Sequence, residues 1–150
     1  MQQYIVYAVL AGVAWGVGGY FEKSGLQSMG LPPIIGIVLR TAVALIILGA
    51  FSIPVWKSAI NQLDMKALLA VIIGGGVIAG SLGMWSFYSA LSVSENLGVT
   101  LAIAFACSPV AGTIIGLLKG NQYIDFKIGL GILAIIIGII LIQLSHKPIQ

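Results

Sequence analysis

Residues Pro33 to Ile53 read PIIGIVLRTAVALIILGAFSI, an unbroken apolar run with a single charge, Arg40. An α-helix rises ~1.5 Å per residue, so roughly 20 residues cross the ~30 Å hydrocarbon core of a bilayer. The run is therefore expected to span a membrane as one helix. An arginine well inside such a span is disfavoured by about 2.5–3.5 kcal/mol on insertion scales. A polar cavity, an anionic partner or a route to the headgroups must offset that cost. What Arg40 faces is the first functional question.

The rest of the chain agrees with a membrane reading. Of 150 residues, 59% are hydrophobic and 7% charged, against about 25% charged in a soluble domain. Such a chain cannot cover a water-facing surface. We expect an all-α integral membrane protein, one domain over residues 1–150. The net charge of +3 comes from scattered basic residues with no run, so no nucleic-acid partner is expected. The single cysteine, Cys107, excludes an internal disulfide, and the only histidine, His146, sits in the polar tail. No metal site, cofactor site or nucleophile–base pair can be assembled, so the chain is not expected to be an enzyme. Met1-Gln2-Gln3 has no basic residue, and the first apolar stretch runs into Phe21-Glu22-Lys23 without a small-x-small cleavage site. That stretch reads as a retained span rather than a signal peptide.

Five apolar segments follow one another, at about 3–21, 33–53, 66–91, 95–118 and 128–145. The first ends at Glu22-Lys23 and the turn-rich Ser24-Gly25. Pro32-Pro33 suits the start of the second, where a missing N–H is no loss, and Pro54 ends it. Val55–Met65 resembles an interfacial loop, with Asp64 placed to cap the third helix. Ser92-x-x-Glu95 matches a capping box for the fourth. Ser92–Ser94 is so short that segments three and four are expected to be antiparallel. With the N-terminus inside, Lys57, Lys66, Lys119 and Lys127 lie on the cytoplasmic side and Lys23 and Lys147 outside. Four against two is a weak bias toward a cytoplasmic N-terminus in the cell membrane.

The spans are rich in small residues. Gly12-xxx-Gly16, Gly76-xxx-Gly80, Gly112-xxx-Gly116 and Ala134-xxx-Gly138 let helix backbones approach closely. They serve either packing inside one bundle or a surface between subunits. Gly74-Gly75-Gly76 is a candidate hinge.

Candidate solute contacts are Trp15, Arg40, Ser81, Trp85 and Tyr88. Ser81, Trp85 and Tyr88 share one face at i, i+4, i+7 spacing. A hydroxyl, aromatic faces and one fixed cation would bury a solute and hold its carboxylate or phosphate. Each has a bland alternative. The aromatics sit where interfacial belts occur. Arg40, some 10 Å into its span at ~1.5 Å per residue, can also snorkel. Glu95 is either its carboxylate partner or a helix cap. Pro109 frees a carbonyl one turn earlier and can kink the fourth helix. No carboxylate is expected deep within any span, which argues against a relay through a buried acid.

Taken in order, several short motifs resemble one family. They are Trp15-Gly16, Arg40 after its proline-containing start, Tyr88-Ser89-Ala90-Leu91, Ser108-Pro109-Val110, and Gly131 with Gly138. Together they resemble one EamA repeat of the drug/metabolite transporter superfamily, over almost the whole chain. The resemblance implies five transmembrane helices forming one half of an inverted-repeat transporter. Family members usually carry two such repeats around a central cavity and move amino acids and other small metabolites. Where the family often has a glutamate after the fourth span, this chain has Gly120-Asn121-Gln122. Four-span multidrug relatives use a glutamate inside the first span, and residues 4–21 contain no acid.

The resulting expectation is a transporter of an amino-acid-like or anionic metabolite. It would work by alternating access, as a facilitator or exchanger, in a homodimer with an antiparallel arrangement favoured. The alternative is a non-transporting membrane subunit, or a half-transporter paired with another five-helix chain.

Overall fold

The computed structural model describes residues 3–120 and 123–145. Asn121, Gln122, His146 and Lys147, used above, lie outside them. The described residues form helices and turns, with no strand. They divide into two compact units, Met1–Val93 and Ser94–Gln150.

The first unit begins with α1, Gln3–Met29. It does not stop at Phe21, as the sequence suggested, but carries Glu22, Lys23, Ser24 and Gly25 within it. It ends at Gly30, whose φ of 60° is the left-handed conformation that glycine adopts freely. Pro32 and Pro33 follow, and α2 runs from Pro33 to Ser52. Pro54 interrupts the helix without ending its course. A 3₁₀ turn, Ile53–Val55, leads into the short α3, Trp56–Ile60. The break is braced by side chains: Trp56 Nε1 donates to Ser52 Oγ (2.8 Å), which donates to the Gly49 carbonyl (2.7 Å). Much of the expected interfacial loop is therefore helical.

Asp64 caps α4, Met65–Ala70, its carboxylate accepting from the Ala67 N–H at 3.0 Å. The chain then widens into a π-helix over Val71–Gly83 and returns to α-helix in α5, Met84–Val93. π-Helix is rare and normally confined to single turns; this stretch of 13 residues contains Gly74-Gly75-Gly76. The Ser81 hydroxyl follows the wider register and donates five residues back, to the Gly76 carbonyl at 3.0 Å.

In the second unit, α6 spans Leu97–Leu118 and α7 spans Phe126–Ser145. The cap of α6 is Asn96, which accepts from the Val99 N–H at 3.3 Å; the Ser92–Glu95 box does not form it. Ser92 instead donates to the Ser89 carbonyl. Asp125 caps α7 through the Lys127 and Ile128 N–H groups, at 2.6 and 3.0 Å. Pro109 lies inside α6, which continues past it to Leu118.

Four helical stretches are long and apolar enough to cross a membrane: Gln3–Met29, Pro33–Ile60, Met65–Val93 and Leu97–Leu118. A fifth, shorter apolar helix covers Phe126–Ile142. Leu45, Ile46 and Phe51 are among many apolar side chains that face outward, each more than two-thirds exposed. In water so much bare apolar surface would be untenable; in lipid it is the surface that the solvent demands. The buried core of the first unit is small: Leu26 of α1, Ile37 of α2, and Tyr88 and Leu91 of α5. Gln27 Nε2 donates to the Leu91 carbonyl at 3.3 Å, satisfying an acceptor in the last turn of α5.

Candidate functional site

The site grows from the α1–α2 hairpin. Because α1 continues to Met29, Glu22 lies about two turns before its end, and Arg40 lies about two turns into α2. The two helices meet at Gly30–Pro32, so both charges stand at a similar depth from the same end. They pair: Arg40 Nε lies 2.8 Å from Glu22 Oε1. The side chains are 39% and 22% exposed, so the pair is partly shielded even before lipid is considered.

From α5, Tyr88 lines the same groove as Glu22 and Arg40. Arg40 Nη1 points at the Met84 sulfur, 3.5 Å away. Sulfur is a weak acceptor, so this edge of the guanidinium is poorly satisfied. Three helices thus bring together a cation, an anion and a phenol. The cluster borders a groove of about 290 Å³. Its other walls are mostly apolar, including Phe21, Met29 and Leu39.

Gly36 makes this approach geometrically possible. A Cβ there would stand 2.7 Å from Leu26 Cδ2 and 3.0 Å from Tyr88 Cε1. Only glycine lets the buried Tyr88 ring lie flush on α2.

Of the residues singled out in the sequence, the structure brings together Arg40 and Tyr88 and adds Glu22. Trp15, Ser81 and Trp85 do not line the groove. Ser81 lies in the π-helix, so α-helical spacing does not carry its face through to Tyr88. Trp15 and Trp85 are more than half exposed. The carboxylate beside Arg40 is Glu22, where sequence reasoning offered Glu95. The first span was expected to end before Glu22; the run-on of α1 places that acid within the helix, about two turns from its end.

Gly80 is tight, since an added Cβ would stand 2.9 Å from the Gly75 carbonyl oxygen, but other members of the glycine pairs behave differently from Gly36. Within the first unit a Cβ at Gly12 or Gly16 would meet nothing within 4 Å, and within the second the same holds at Gly112 and Gly138. These positions are open and are not close-packed helix contacts.

A family model described as the EamA-like transporter family matches residues 2–144. No curated protein and no solved structure matches the chain.

Proposed function

We propose, on the premise that this chain belongs to the EamA-like transporter family, that it carries a small anionic or zwitterionic metabolite across the cell membrane. Members of that family are membrane transporters and not enzymes, and the apolar helices make this a multi-pass protein. The observation that carries the finer reading is Arg40. It sits inside a membrane helix, above an apolar groove, with one edge of its guanidinium on nothing better than a sulfur. A solute carboxylate or phosphate would engage that guanidinium with charge-assisted bonds. The groove walls would cover the solute's apolar part.

The experiment is counterflow in proteoliposomes loaded with candidate amino acids, organic acids and sugar phosphates. Accumulation of a labelled anionic or zwitterionic solute is the expected result. Uptake of none of these classes, together with stable co-purification of a second membrane protein, would favour the non-transporting subunit instead.

Alternating access needs a second bundle to rock against the first. The open Gly12, Gly16, Gly112 and Gly138 positions support a second copy of this chain as that bundle, because small residues admit close helix approach. Five spans place the two termini on opposite sides. With four lysines against two, the chain can insert both ways. An antiparallel dimer would then open one Arg40 groove toward each side of the membrane. The expected outcome, with Cys107 replaced and single cysteines placed near each terminus, is that impermeant reagent labels both from outside intact cells. Labelling of the C-terminal cysteine alone would rule out dual insertion and leave a parallel or heteromeric pair.

A further inference from the structure

We infer that Glu22 is the resident anion of the Arg40 site: an anionic solute gains Arg40 by displacing Glu22, which takes up a proton as it lets go. The inference rests on the reading of Arg40 as the solute's cation, and it names what must leave that cation first.

The geometry sets up a competition. Glu22 holds Arg40 through Nε at 2.8 Å, so the guanidinium is already half committed. An incoming anion that engages the planar fork with two oxygens needs two adjacent N–H groups. Taking the edge that contains Nε means taking it from Glu22.

The fate of the displaced carboxylate follows from what faces it. Arg40 reaches it from α2, and Tyr88 of α5 lines the same groove. Lys23 is its neighbour on α1, and adjacent residues on a helix point in different directions. Once the solute has Arg40, the other polar side chain that lines the groove with Glu22 is the neutral Tyr88. A carboxylate inside a membrane helix that loses its cation neutralises instead of staying charged. The protonated acid is well served there, because it keeps acceptor capacity and gains a donor of its own.

The net event is one anion bound and one proton taken from water onto Glu22, with no change in total charge. Release reverses it: the proton leaves, and Glu22 recaptures Arg40. A chain expected from its sequence to run as a facilitator or exchanger thereby acquires a proton-coupled step. The apolar walls of the groove direct this step to an anion with an apolar body.

The test uses the purified full chain in lipid nanodiscs and hexanesulfonate, an anion that stays ionised throughout the range used. Between about pH 5 and about pH 8, wild-type affinity should fall by up to about tenfold per pH unit, the slope of one linked proton. In lightly buffered solution an indicator dye should record about one proton taken up per anion bound. Glu22→Gln should bind hexanesulfonate tightly, without pH dependence or proton uptake, and Arg40→Gln should not bind it. Wild-type binding that is flat with pH and takes up no proton, yet is lost in Arg40→Gln, overturns the inference and leaves the solute-site reading standing. Binding that survives Arg40→Gln, or wild-type protein that binds none at any pH, overturns both. The proton count is made on wild-type protein, so it does not depend on the folding of either variant.

Discussion

Arg40→Ala should abolish transport and also destabilise the protein. The two effects have separate causes. Transport falls because the solute loses its charge-assisted contacts, and a loss of about 3 kcal/mol is already more than 100-fold in affinity. Stability falls because Glu22 is left without its cation. Removing one partner of a fully buried pair costs about 3–5 kcal/mol; this pair is partly exposed, so about 1–3 kcal/mol is the appropriate scale. The ion pair with Glu22 is what ties this variant to stability as well as to transport. The causes can be separated by a double variant, Glu22→Gln with Arg40→Gln, which removes both charges. It should recover most of the lost stability and none of the transport, as a non-additive pair does. Arg40→Lys should retain part of both activities, since it keeps the charge but not the planar fork. Full transport by Arg40→Ala in proteoliposomes would remove this residue from the mechanism.

The helices were legible because lipid imposes a simple demand. A run such as Pro33–Ile53 must satisfy its own backbone, and only a helix does so without partners. The ends were less legible because they depend on single residues competing for the same role. Ser24-Gly25 looks like a turn, yet the helix passes through it and stops at Gly30, where a positive φ makes glycine the preferred residue. Ser92 and Glu95 match a capping box, yet Asn96 supplies the cap. Each of these is a near-tie in local energy that tertiary packing decides. The π-helix over Val71–Gly83 left only the glycine run as a trace. It also undid the shared face drawn for Ser81, Trp85 and Tyr88, because that face assumed one turn geometry throughout.

The site was half legible for a related reason. Arg40 announces itself, since a charge in an apolar run always needs a partner. Its partner did not, because Glu22 was assigned to a connection once α1 was ended at Phe21. Extending α1 by two turns moves Glu22 from a connection into the helix and places it opposite Arg40. The position of one helix end therefore decides whether the ion pair can be read from the sequence.

Gly36→Ala should damage both the core of the first unit and the Arg40 site. The added Cβ would lie 2.7 Å from Leu26 Cδ2 and 3.0 and 3.2 Å from two atoms of the Tyr88 ring. A leucine methyl can often swing aside, but Leu26 is 5% exposed and Tyr88 2%, so neither has free space to enter. Overpacking of this kind costs about 1–3 kcal/mol. If the ring yields, it moves away from α2 and reshapes the groove that it shares with Glu22 and Arg40, disturbing the site as well as the core. Transport should then fall by more than the loss of folded protein accounts for. The compensating change is Leu26→Val, which removes about the volume that the alanine adds; the double variant should recover stability and bring Tyr88 back. Thermal unfolding and counterflow on the single and double variants measure the two effects separately. A Gly36→Ala protein with wild-type stability and wild-type transport would show that Tyr88 does not need this close seat on α2. The link from helix packing to the Arg40–Glu22 pair would then have to be abandoned.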